Sequence, residues 1–253
     1  MAGVLLTVDD LHIGFRRDGA RLHPVRGVSL QVAPGECVAV VGESGCGKSL
    51  TALAIARLPP TDRAEVSGRI VLDGVDVSAG DPASLAQIRG RRVAYVFQDP
   101  LTTLHPLYRV GEQIAEAILA HERIGKTAAR ARALELMEQV GIRDAAERID
   151  AFPHEMSGGQ RQRIGIAMAI ANDPDVIIAD EPTTALDVTV QAKILDLLQE
   201  LRRERGLALL LITHDFGVVA QVCDRVAVMK DGEIVEQGRT EDVLNAPRHD
   251  YTR

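Results

Sequence analysis

Gly42-Glu43-Ser44-Gly45-Cys46-Gly47-Lys48-Ser49 sets glycines, one cation and one hydroxyl in the spacing G-x-x-x-x-G-K-S. That combination suits phosphate. Glycines let backbone N–H groups turn inward onto phosphate oxygens, and Lys48 can neutralise the outer phosphates of a nucleoside triphosphate. The Ser49 hydroxyl is a hard oxygen donor of the kind that coordinates Mg2+. Leu50 carries the run into an expected helix, whose N-terminal partial positive charge adds to the anion site. Before the loop stands Cys37–Val41, a short apolar run with β-branched residues, and after it Leu50–Leu58, halted by Pro59-Pro60. Strand, loop and helix is the context in which this spacing binds phosphate.

Two further constellations could act with it. Val176-Ile177-Ile178-Ala179-Asp180-Glu181 is an apolar strand candidate ending in two carboxylates. Asp180 would hold Mg2+ through water, and Glu181 is placed to polarise an attacking water. Alone, such an acidic pair more often opens a solvated loop; the phosphate loop upstream turns the reading towards catalysis. Met156-Ser157-Gly158-Gly159-Gln160 precedes the helix-compatible stretch Arg161–Ala171. Ser157 suits a helix N-cap, and Gly158 and Gly159 expose N–H groups at a positive helix end, a second anion site.

The elements that must carry these residues alternate. Leu5–Val8, Val28–Val32, Arg69–Val77 and Arg92–Gln98 read as strands, with a Pro34-Gly35 turn after the second. Between about Val110 and Ile142 the period becomes helical, with Ala133, Leu136, Met137 and Val140 on one face. Val176–Ala179 then reads as a buried strand, Val188–Arg205 as a helix, and Ala208–Thr213 as a strand. Val226–Met229 and Glu233–Glu236 form a hairpin across Lys230-Asp231-Gly232. Strands alternating with helices imply an α/β fold with a mainly parallel sheet covered on both faces.

Met156-Ser157-Gly158-Gly159-Gln160 resembles the L-S-G-G-Q signature of ABC ATPases, with Met where Leu is usual. The remaining family pattern follows in order. Gln98 matches the glutamine that in the family touches Mg2+ and water and relays movement to the membrane subunit. Ala185-Leu186-Asp187 resembles the D-loop, and His214 matches the histidine that contacts the γ-phosphate. Phe15 matches the aromatic residue that stacks on adenine. Taken singly, a histidine after a strand is usually structural and a glutamine says little; their joint order is specific. The resemblance covers residues 1–253 and implies one nucleotide-binding domain. It implies a RecA-like P-loop NTPase core, an antiparallel β subdomain, and an α-helical signature subdomain inserted at about residues 100–170. In such ATPases two domains stack head to tail, so that the phosphate loop of one and the signature of the other enclose the same ATP and Mg2+.

Phe97-Gln98-Asp99-Pro100-Leu101-Thr102-Thr103-Leu104-His105-Pro106 resembles a stretch found in the peptide and nickel uptake subfamily, with His105 where Asn is usual. Pro153-His154-Glu155, Asp187–Ala192 and Asn245–His249 continue that likeness. It implies import of di- or oligopeptides through two membrane permease subunits. It also implies a second ABC ATPase chain, by family habit a paralogue, and indirect contact with an extracytoplasmic solute-binding protein. Nickel and glutathione importers are close alternatives, and an exporter or regulatory ATPase is a more distant one. The family pattern usually runs on past Tyr251-Thr252-Arg253, so a truncated or a naturally short chain is expected. Cys37, Cys46 and Cys223 show no metal-ligand spacing, and thiol reagents are expected to act at Cys46 unless ATP protects it.

Composition narrows the field. With 46% apolar and 26% charged residues over 253 positions, the chain can build a sizeable core. Aromatic content of 3%, no tryptophan and a net charge of −7 argue against a nucleic-acid partner. They disfavour the remaining alternative, an ABC ATPase acting on ribosomes or DNA. No apolar run approaches the roughly 20 residues that span a bilayer, and Met1–Asp10 does not read as a signal peptide. The expected location is peripheral, at the cytoplasmic face of the inner membrane.

Overall fold

β1 (Leu6–Arg17) begins with the alternation Leu6, Val8 and then shifts phase to Leu11, Ile13, all four almost fully buried. The shift is a bulge. Its register against both neighbours slips after Val8 and Asp9, where Asp10 takes a positive φ. An inserted residue restores the buried face, which is why alternation alone stops at Val8. The computed structural model describes residues 3–17, 20–58, 64–79, 82–99, 103–184 and 186–253. Pro59-Pro60, Pro100, Leu101, Thr102 and Ala185 of the sequence reading lie outside the described residues.

The chain divides into two compact units, Met1–Ala86 with Gly206–Arg253, and Gln87–Arg205. The first unit holds an antiparallel sheet ordered β2-β1-β4-β5, with β2 at Ala20–Val32, β4 at Glu65–Leu72 and β5 at Val75–Asp76. β2 runs further than Val28–Val32 and includes Pro24; as an edge strand it tolerates the missing N–H. The expected strand 69–77 breaks at Asp73-Gly74, both at positive φ.

A second set of strands in this unit centres on β3 (Cys37–Val41), which is buried throughout. It pairs in parallel with β8 (Ala208–Thr213) on one side and β9 (Arg225–Lys230) on the other. β10 (Glu233–Arg239) returns antiparallel along β9. A strand buried on both faces and paired on both edges must be continuously apolar, and Cys-Val-Ala-Val-Val meets that. Helices α1 (Lys48–Ile55), α8 (Phe216–Val222) and α9 (Thr240–Asn245) also belong to this unit.

The second unit pairs β6 (Val93–Val96), buried except at the half-buried Tyr95, in parallel with β7 (Val176–Asp180), which is buried throughout. α2 (Pro82–Ile88) precedes β6 in the chain. Its helices are α3 (Val110–Leu119), α4 (Lys126–Gln139), α5 (Ala145–Arg148), α6 (Gly158–Ala169) and α7 (Val188–Arg205). Ala133, Leu136, Met137 and Val140 are buried as their spacing requires, as are Val110, Ile114 and Ile118 along one stripe of α3, the helix that packs on α4. Among the described residues no helix is long and apolar enough to cross a membrane.

Candidate active site

In the first unit the loop 42–49 leaves the C-terminal end of β3 and enters α1. Two of its glycines are required by space. A Cβ on Gly42 would lie 2.1 Å from the Met229 carbonyl oxygen, and one on Gly47 would lie 2.5 Å from that of Pro24. Gly47, the residue before α1, also has φ of 106°, a left-handed conformation that side chains resist. The loop therefore rests against β9 and β2 with bare backbone. The Gly232 N–H, in the β9–β10 turn, donates to the Cys46 carbonyl at 3.0 Å.

Lys48 is only 5% exposed, yet its ammonium has oxygen partners: Nζ donates to the Gly42 carbonyl at 2.7 Å and the Glu43 carbonyl at 2.8 Å. A cation buried this deeply is tolerated because both bonds are made to oxygen dipoles. The Thr51 hydroxyl donates to the Gly47 carbonyl at 3.0 Å and secures the first turn. Ser49 and Leu50 are half-buried in that turn, whereas Glu43, Ser44 and Gly45 are exposed. Cys46 is buried; burial pushes its thiol above the ordinary value, opposed by the Lys48 charge. Phe15 is half-buried on β1 opposite Leu22, and His214 is exposed just beyond β8. Asp215 beside it caps α8, accepting from the N–H groups of Gly217 at 2.7 Å and Val218 at 3.3 Å.

In the second unit β7 delivers both carboxylates. Asp180 is 6% exposed and accepts from the Tyr95 hydroxyl at 2.8 Å. Burial, and then the Asp180 charge, drive the Tyr95 phenol far above its ordinary value, so it stays protonated and donating. Glu181 turns the chain at φ 43°, a left-handed value for a residue with a side chain. Such backbone costs about 1–3 kcal/mol and persists where surrounding structure enforces it, typically at functional sites. Its Oε2 accepts from Gln98 Nε2 at 3.1 Å and from the Thr184 hydroxyl at 2.8 Å. Parallel neighbours β6 and β7 thus bring together two residues that lie 83 positions apart.

Ser157 is the N-cap of α6. Its hydroxyl accepts from Gln160 N–H at 3.3 Å while Gln160 Oε1 accepts from Ser157 N–H at 2.9 Å. Gly158 and Gly159 open the helix behind it. Asp187 is exposed and accepts from Val190 N–H at 3.0 Å as α7 begins. Tyr95 and Thr184 are the residues that sequence reasoning missed around the carboxylates. Tyr95 offered one signal, a hydroxyl in the middle of an otherwise apolar strand.

Each unit carries its own arrangement: a glycine-rich loop around a buried ammonium in the first, and oriented carboxylates with a capped helix start in the second. The sequence profile described as "ABC transporter" matches residues 25–184. The chain is 50% identical over 250 residues to the peptidoglycan transport ATP-binding protein YejF of Agrobacterium fabrum, spanning 98% of this chain and 46% of the relative. It is 48% identical over 250 residues to the dipeptide transport ATP-binding protein DppD of Bacillus subtilis, spanning 98% of this chain and 75% of the relative. The chain thus corresponds to about half the length of the Agrobacterium relative. Among solved structures, a dimeric ATP-binding cassette in a post-hydrolysis state with ADP and Pi superposes with a TM-score of 0.82 at 29% identity, covering 93% of this chain and 99% of that one.

Proposed function

Since this chain belongs to the ABC transporter ATP-binding family, we propose that it binds and hydrolyses ATP to drive import of di- or oligopeptides through separate membrane subunits. The observation carrying the hydrolytic half is Glu181, strained at the end of a buried strand and held by Gln98 and Thr184. A carboxylate fixed by two donors yet half-exposed is suited to take a proton from water.

Roles follow residue by residue. The loop Gly42–Ser49, with Leu50 behind it, cradles the phosphates, and Lys48 exchanges its carbonyl partners for phosphate oxygens. Phe15 stacks on the adenine. Glu181 is the general base, Gln98 orients the water, and His214 contacts the terminal phosphate. Ser157, Gly158, Gly159, Gln160 and Asp187 serve the ATP of a paired chain.

For Mg2+ the first unit offers the Ser49 hydroxyl, and the second offers the Asp180 carboxylate and the Gln98 amide oxygen, each a hard donor, with Tyr95 steadying Asp180. When bound with the nucleotide, the ion neutralises charge on the phosphate oxygens. Residues 1–253 form a single nucleotide-binding domain with a helical subdomain at about 100–170. It acts peripherally at the cytoplasmic face of the inner membrane, paired with a paralogous ATPase chain on two permease subunits and served by an extracytoplasmic binding protein.

Peptide import is favoured over nickel or glutathione import by the dipeptide-transport name of the Bacillus relative. The test is ATP hydrolysis by the chain purified with its membrane partners and binding protein. Dipeptides, oligopeptides, muropeptides, glutathione and Ni2+ are compared; muropeptides are included for the name of the Agrobacterium relative. Stimulation by peptides supports the proposal. Stimulation by Ni2+ or glutathione alone overturns the solute, and no membrane partner with no solute effect overturns transport.

A further inference from the structure

Beyond the loop's own residues, one side chain 208 positions away reaches it. The Tyr251 hydroxyl accepts from Glu43 N–H at 3.0 Å. The carbonyl of that same Glu43 accepts from Lys48 Nζ at 2.8 Å. A phenol, one loop residue and the buried ammonium therefore form a continuous chain of hydrogen bonds.

Tyr251 is itself anchored. Lys230 Nζ lies 4.9 Å from the centre of its ring, a cation–π contact from the turn that also supports Cys46. The Glu236 carboxylate, on β10, accepts from Arg248 N–H at 2.8 Å and His249 N–H at 3.1 Å, and the Tyr251 N–H donates to His249 Nδ1 at 3.1 Å. Residues 248–251 are thus bound to β10 in a turn that aims the phenol at the loop. Lys48 and Thr51 brace the loop from within it and from α1, and the Gly232 N–H braces it through backbone; Tyr251 is a side chain from a distant turn whose contact one atom can remove.

We propose that Tyr251 is a positioning residue for the phosphate loop, fixing Glu43 so that Lys48 and the loop N–H groups are ordered before nucleotide arrives. Ordering a loop residue in advance removes part of the entropy that binding must otherwise overcome. The phenol touches neither the reacting atoms nor, on this view, the nucleotide. The inference rests on the ATP-binding reading above.

Tyr251→Phe keeps the ring and the Lys230 contact and deletes only the acceptor. Three measurements on the full chain test it: affinity for a fluorescent ATP analogue, hydrogen exchange of the 41–49 segment, and thermal melting. Expected are about fivefold weaker nucleotide affinity, the scale of one lost hydrogen bond, and faster exchange at the Glu43 amide. Exchange in β3 and the melting temperature should stay as in the parent protein. Affinity within 1.5-fold of the parent overturns the inference. So does faster exchange throughout β9 and β10 with a lowered melting temperature, which would make Tyr251 merely structural. Failure of the unsubstituted chain to bind nucleotide would instead sink the ATP reading.

Discussion

Replacing Glu181 by Gln separates catalysis from folding, and the geometry sets both magnitudes. Both donors to Glu181, Gln98 Nε2 and the Thr184 hydroxyl, reach the same oxygen, Oε2. A glutamine can present its remaining oxygen to both, so the bonds persist in neutral form. Hydrogen bonds to charged groups contribute about 1.5–3 kcal/mol and neutral ones about 0.5–1.5; the half-exposed site keeps the loss near the low end. We expect the substitution to cost about 1–2 kcal/mol, a fall of a few degrees in melting temperature for a chain this size. Catalysis should lose far more. A positioned general base contributes roughly 100- to 10,000-fold, equivalent to about 3–5 kcal/mol of barrier.

The assay is phosphate release by the assembled transporter, alongside ATP affinity and size-exclusion chromatography in ATP. Turnover should fall by at least about a hundredfold while affinity holds within about threefold, and the ATP-bound paired form should persist. A variant keeping a tenth of parental turnover would refute the base assignment. Equal losses of turnover and affinity would refute it too, because they would make Glu181 a structural residue. Thr184→Val probes the same arrangement from its neighbour. Losing one positioning bond of about 1 kcal/mol should slow turnover about fivefold without altering ATP affinity, and an unchanged rate would remove Thr184 from the mechanism.

Other outcomes follow from single contacts. Lys48→Ala should weaken ATP binding roughly a hundredfold, the scale of charge-assisted phosphate bonds worth about 3 kcal/mol; unaltered affinity by calorimetry would count against the phosphate cradle. The Cys46 thiol is buried and titrates above its ordinary value, so little thiolate exists at neutral pH. Iodoacetamide should label it slowly, at a rate still climbing as pH passes the range of a free thiol; fast labelling at pH 7, read by mass spectrometry, would refute that. Ser157→Ala removes a cap whose bond is long at 3.3 Å, so it should cost about 0.5 kcal/mol of stability, the low end for N-caps. A melting shift of many degrees would show that the hydroxyl does more than cap α6.

What the sequence disclosed divides by range along the chain. The Ser157–Gln160 capping box closes over three residues, and the phosphate loop needs only its own eight, so both were visible as spacing. α7 and β8 kept their expected ends because period and punctuation agree there, with Gly206 at positive φ between them. β1 was underread because one inserted residue at the bulge breaks the alternation that marks a strand. The Gln98–Glu181 pair became legible only through the order of motifs, since its 83-residue separation has no local signature.

Tyr95 and Tyr251 carry this to its limit. Each donates or accepts one hydrogen bond to a residue that does have a motif, across 85 and 208 positions respectively. No periodicity or cap relates them to it. Sheet topology supplies the first link, because parallel pairing of β6 with β7 sets Tyr95 beside the end of the acidic strand. The turn at 248–251, held by Glu236, supplies the second. Residues proposed to meet phosphate are thus constrained by local backbone geometry and leave a pattern in sequence. Residues that hold those residues still are constrained only by the fold, and a different fold-distant side chain could serve equally well. Substitution at Tyr95 or Tyr251 should therefore be partly repaired by other side chains able to offer the same donor or acceptor, whereas no such repair is open at Gly47 or Lys48.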